Sequence, residues 1–314
     1  MVRLFIFLTF LMTITAGAIS AADQWVPIRQ VEVAQINADL VDDLPRVDVA
    51  LYYASNLDEG FKQATPLDGL LEEFKLAKKV FAKAGVQLNL VAIKSGYLDP
   101  QYFSIMSAPL TLEKPDDGYV NMYDEMARHP SQLTEHAKAT FEAIITPDQN
   151  SENTVHLVAM QGVYMPYYEG DEVGRVWRPT LVRTKGLSFP SYIHGDSIPR
   201  PYRGVITLSH HDSELKRTIA HELGHKLMNV SHEYKEVGPQ HETFADGGLM
   251  LYGKGLDIPS GEEGRWHKER LHLSPFVYRL NETGEKVWNQ DYQGKGFYDD
   301  PIYGDKVIRF KGPR

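Results

Sequence analysis

An α/β fold is what the sequence predicts, on three observations. Apolar residues alternate over Val47 to Tyr53, recur at helical spacing over Leu67 to Ala84, and alternate again over Val86 to Ile93, the order strand, helix, strand. A second helical stretch opening at Asp212 carries Leu215, Ile219, Leu223 and Leu227 as an apolar row four residues apart. Finally, 314 residues without one cysteine must be held by a sizeable core, because no disulfide can staple them.

Taken in order, residues 1–22 read as a targeting segment. Arg3 gives the positive start, Leu4 to Ile14 the apolar run and Ala16 to Ala22 a small-residue exit. The run is short for a membrane span, so a cleaved signal with secreted or periplasmic delivery is expected, and no stable membrane insertion; an uncleaved anchor is the alternative. Cleavage removes one positive charge, Arg3, and takes the net charge from −9 to −10. That balance argues against nucleic acid or an anionic membrane as the main partner.

Residues 23–45 read as an N-terminal arm, either a first strand or a cover. The main domain is expected over 46–273, beginning with the strand, helix, strand unit, in which Gly85 stops the helix and the two strands lie parallel. Residues 94–152 read as an insertion: loop-like through Pro100, Pro109 and Pro115, then helical near Val120 to Arg128 and Ser131 to Ile145. Its His129 and His136 have no partner at ligand spacing. Thr154 to Met160 is a further strand.

Tyr164 to Arg203, rich in proline, glycine and aromatic residues, shows no period and reads as a long loop. Its cluster Arg175, Arg178, Arg183 and Lys185 is either a substrate-holding rim or an ordinary solvated loop. Gly204 to Leu208 is a strand feeding the helix that Asp212 or Ser213 caps. A later helix is expected over Glu262 to His272, and the tail 274–314 either wraps the core or forms an appendage.

The chemistry lies in His221-Glu222-Leu223-Gly224-His225. On a helix the two histidines share a face and can present two imidazole nitrogens to one metal ion, with Glu222 beside them as a general base. Catalytic zinc takes three protein ligands and keeps a fourth position for water. His232 is the first candidate for the third ligand. Glu242 is a rival, with His241 and Asp246 behind it.

The pattern from His221 through His232 resembles the metzincin metallopeptidases, in which a glycine ends the helix and a third histidine turns back onto the zinc. Gly248-Leu249-Met250-Leu251-Tyr252-Gly253 is similar to the family's methionine turn, with Met250 as its structural methionine. Two departures stand out: Met228 occupies the place of the glycine, and the third histidine comes one residue late. A turn through Asn229, which tolerates positive φ, would restore the geometry.

The resemblance implies a metzincin-like zincin: a twisted mixed sheet with an active-site helix and a smaller, mostly irregular C-terminal subdomain. It also implies a secreted zinc-dependent peptidase acting on protein or peptide substrates through metal-activated water, with Glu222 as base and Tyr252 as a catalytic hydroxyl. Glu242-Thr-Phe-Ala245-Asp246 resembles instead the second motif of gluzincins, which would make Glu242 the third ligand. A non-catalytic, zinc-retaining secreted binding protein is a further alternative.

Overall fold

The computed structural model describes residues 25–57, 66–110, 132–170, 177–209, 217–230, 232, 248–250 and 255–290. The targeting segment, the expected helix near Val120 to Arg128 and the tail beyond Gln290 lie outside these residues.

The architecture is mixed α/β, built on one large sheet. Strand β2 (Arg46–Ala54) runs at its centre, helix α2 (Leu67–Lys83) crosses over, and β3 (Gln87–Gly96) returns parallel to β2. Gly85 ends the helix at φ 78°, a left-handed conformation that glycine adopts without a side-chain clash. On the other side of β2 come β5 (Val155–Ala159) and β9 (Val205–Leu208), both parallel. The edges are antiparallel: β1 (Val26–Ile28) beside β3, and the two-residue β8 (Gly186–Leu187) beside β9. The order along the sheet is β1-β3-β2-β5-β9-β8.

The segment read as an arm is thus tied into the structure. β1 pairs with β3, helix α1 (Gln30–Ile36) follows, and the Trp25 indole donates to the carbonyl of Ala143. The tail also returns to the sheet. After helix α5 (Glu262–Leu273), strands β10 (Val277–Leu280) and β11 (Lys286–Trp288) form a hairpin whose first strand pairs with β2. Alternation suggested that Asp48 faces away from the core, yet it is buried. Its carboxylate accepts from the Tyr278 hydroxyl and the Asn89 amide, each at 2.8 Å, and from Lys286. A central strand covered on both faces needs this compensation for every buried polar group.

The long loop expected over Tyr164 to Arg203 is in large part a hairpin. β6 (Gly162–Gly170) pairs antiparallel with β7 (Trp177–Thr184), and β4 (Ser104–Met106) joins them in a second, three-stranded sheet. Pro166 and Pro179 inside the strands and the glycines at their ends hid the pattern, since such residues sit only at sheet margins. Within the expected insertion, helix α3 (Glu135–Ile144) is capped by Thr134, whose hydroxyl accepts from Ala137 N–H at 3.0 Å. His136 stacks on Tyr102, 5.7 Å between ring centres, and its Nε2 meets the Ser104 carbonyl. It is exposed and belongs to no metal-ligand group among the described residues.

Among the described residues no helix is long and apolar enough to cross a membrane.

Candidate metal centre

Helix α4 (Thr218–Met228) packs against α2 and lies behind β9, and each of its residues is buried. The expected row holds: Ile219, Leu223 and Leu227 are wholly enclosed. The helix begins at Thr218 with Arg217 in the N-cap place, so the expected caps Asp212 and Ser213 do not start it; Leu215 lies outside the described residues.

His221 and His225 project together, their ring centres 4.7 Å apart. The Nδ1 of His221 meets the Leu249 carbonyl at 2.9 Å, and that of His225 meets the Val230 carbonyl at 2.6 Å. A carbonyl only accepts, so each Nδ1 carries the proton and each Nε2 presents a lone pair. The chain then turns. Asn229 ends the helix at φ 51°, ψ 55°, the left-handed conformation that its tolerance of positive φ suggested. His232 comes back with its Nε2 at 3.0 Å from that of His221 and 3.2 Å from that of His225.

This donor set fits a metal ion. Tetrahedral nitrogens at ~2.05 Å from a common ion lie about 3.3 Å from one another, close to the separations here. Without a cation, His232 has at most one Nε2 hydrogen to offer two lone pairs, so one contact stays unsatisfied; a cation satisfies all three. Burial holds all three imidazoles below their ordinary range, His225 at about 4, which keeps them neutral as ligation requires. The group His221, His225 and His232 can therefore hold a metal ion.

The surroundings fix these ligands. Gly224 lies directly on Met250, where a Cβ would come within 2.4 Å of the Sδ, so Met250 packs against the helix while the Leu249 carbonyl orients His221. Arg270, from α5, donates Nε to the Met228 carbonyl at 2.9 Å and Nη2 to the Asn229 carbonyl at 3.1 Å.

Glu222 points toward the edge strand. Its carboxyl receives the Ser188 N–H and lies so close to Gly186 that a Cβ there would be 2.6 Å from its Cγ. Burial raises this carboxyl to about 8, against the pull of Arg217, Lys226 and the Ser188 bond. Lys226, lowered by burial to about 7, donates to the Phe189 carbonyl at 3.1 Å and the Arg203 carbonyl at 2.6 Å. It thereby ties the helix to the segment after β8, where Phe189 sits at φ 47°.

Of the residues expected from sequence, the structure brings together His221, His225 and His232, sets Met250 against Gly224 of the same helix, and turns the Glu222 carboxyl to Gly186 and Ser188. Tyr252, Glu242, His241 and Asp246 lie outside the described residues. In the positive cluster, Arg183 is bound to the backbone carbonyls of Gln161 and Ser209. Arg175 is outside the described residues. Sequence reading missed Arg270, Lys226 and Gly186, whose partners are 23 to 42 residues away and leave no local pattern.

No protein-family model matches this chain, and no curated protein matches it in sequence.

Proposed function

We propose that this protein is a zinc-dependent peptidase of the metzincin kind, exported by its N-terminal segment and acting on protein or peptide substrates. The observation that carries the reading is the convergence of three imidazole Nε2 atoms beside an HExxH glutamate. When bound, zinc would supply Lewis acidity, lowering a coordinated water's pKa to ~7 and polarising the scissile carbonyl. His221, His225 and His232 would hold it.

Glu222 accepts the proton of the attacking water and returns it to the departing amine. Burial alone keeps this carboxyl protonated at neutral pH, and a cation held by the histidines would favour its charged form. The Ser188 N–H and the contact with Gly186 hold the carboxyl in one orientation, so little reorganisation is needed at each transfer. Tyr252, by its place after Met250, is assigned the hydrogen bond to the developing oxyanion.

The enclosure of Glu222 favours a second reading, a zinc-retaining protein without catalysis. One comparison separates the two: hydrolysis of a quenched-fluorescent peptide library by zinc-loaded wild type and Glu222→Gln, with zinc content measured on both. The peptidase reading expects equal zinc and a loss of about 10²-fold or more in hydrolysis. Zinc in both proteins without hydrolysis by either supports the second reading, and no zinc in the wild type sinks both.

A further inference from the structure

The helix that carries two of the ligands ends in an unusual way. Where a glycine would turn the chain, the residue is Asn229, held left-handed and almost fully buried. Asparagine visits this region more readily than most residues but less freely than glycine, so its surroundings must hold it there.

Three successive carbonyls of the turn are each taken by a side chain. Arg270 Nε takes that of Met228, Arg270 Nη2 that of Asn229, and His225 Nδ1 that of Val230. The first two belong to the peptide groups on either side of the Asn229 Cα. Fixing both planes fixes φ and ψ of Asn229, the two dihedrals that decide where His232 goes. A guanidinium suits the task because its donors form a rigid planar fork, whereas an ammonium is a single point. Its positive charge also lies at the negative end of the α4 dipole, and at 6% exposure it is little screened.

The lever is sensitive. His232 lies three positions beyond Asn229; a reach of roughly 7 Å turned by about 10° sweeps about 1 Å. That is several times the ~0.2 Å tolerance of a metal–nitrogen distance.

We propose that Arg270 is a positioning residue of the metal centre, a guanidinium that sets the left-handed turn at Asn229 and so delivers the third ligand, His232. The proposal rests on the metal-centre reading above. It makes α5, far along the chain from the ligands, a working part of the site. It also accounts for the loss of the family's glycine: an external clamp does here what a permissive residue does there.

The test is zinc affinity by chelator competition on the full chain, with thermal unfolding of the metal-free and zinc-loaded forms alongside. Arg270→Met should weaken zinc 10- to 100-fold, the range for removing a partner that orients a ligand. Arg270→Lys, which keeps the charge and one donor, should fall between. Placing Asn229→Gly in the Arg270→Lys background should recover part of the loss, because glycine holds the turn without the clamp. With cobalt as the probe, the visible spectrum of Arg270→Lys should change in intensity as the third imidazole is displaced.

A merely structural arginine would lower the stability of both forms equally and leave zinc affinity and the cobalt spectrum unchanged. That result overturns the proposal. If Arg270→Met does not fold, Arg270→Lys and its double variant decide by the same criteria. A wild type that takes up neither metal overturns the centre itself, whereas full uptake with unaltered affinity in the variants overturns only the role of Arg270.

Discussion

Among the buried histidines of this core, His156 and the cluster at the helix α4 differ in what their second nitrogen meets. His156 on β5 is closed: Nδ1 lies 3.3 Å from the Tyr52 hydroxyl and Nε2 lies 3.2 Å from the Ser151 carbonyl. The cluster on α4 is open: one nitrogen of His221 and of His225 is fixed by a carbonyl, and the other is directed at a shared point with His232. Both groups are neutral and enclosed, so burial does not distinguish a structural histidine from a ligand. What distinguishes them is convergence, because the three free Nε2 positions of the cluster meet at one shared point where a single cation can satisfy them all.

The contrast is broken most directly by removing a nitrogen from each group. His225→Ala deletes a ligand and the bond to the turn at Val230, and zinc content by elemental analysis should fall from about one equivalent to none. The affinity loss should exceed the ~100-fold typical of an outer partner. His156→Gln should keep its zinc. Equal zinc in the two variants would show that the difference between the groups is not functional.

The closed group should instead reveal itself through pH. Burial lowers His156 from 6.5 to about 4, so on acidification the unfolded chain takes up a proton first. The stabilisation is fully present above 6.5 and is lost as the pH falls toward 4. Full loss of the shift corresponds to about 3 kcal/mol. Unfolding free energies from urea titrations across that range should therefore fall more steeply for wild type than for His156→Gln. The other histidines titrate in both proteins and cancel in the difference. Parallel slopes would mean that His156 is accessible to protons in the folded state.

How much of this was legible in the sequence follows range. Contacts within a few residues were readable: the apolar row Ile219, Leu223 and Leu227, the stop at Gly85, and the pair His221 and His225; the parallel β2 and β3 followed from the order strand, helix, strand. The turn at Asn229 was inferred from its tolerance of positive φ, and the structure places it there. Distant partners were not readable. Asp48 looked like a solvent position because nothing nearby announces Tyr278 and Lys286, 230 and 238 residues later. Arg270 looked like one charge among several on α5. The β6–β7 hairpin was lost because prolines and glycines obscure a period of two, and only cross-strand pairing restores it.

A smaller effect is expected where the open group meets the edge strand. In Gly186→Ala the added Cβ would lie 2.6 Å from Glu222 Cγ and 2.9 Å from Oε1, so the carboxyl must move. The metal ligands lie elsewhere, so zinc content should be unchanged while hydrolysis falls roughly tenfold, a modest share of what a misplaced reacting group loses. Unaltered turnover would show that the Glu222 orientation does not depend on Gly186.

The smallest effect is the most sensitive to the balance of forces beneath the helix. Gly224→Ala gains ~1 kcal/mol of helix propensity. It also places a Cβ 2.4 Å from Met250 Sδ, 3.2 Å from Leu249 Cδ2 and 3.3 Å from Met228 Cε. Overpacking of this kind costs ~1–3 kcal/mol. Methionine side chains adapt, which favours the lower part of that range. Leu249 is less able to yield, since its carbonyl holds His221 Nδ1. The cost should therefore narrowly exceed the gain, with a net loss of about 1 kcal/mol in thermal unfolding and a slight weakening of zinc. A stabilised variant would mean that the methionine gives way freely, and that the support beneath His221 comes from the Leu249 backbone rather than from the packing of Met250 on Gly224.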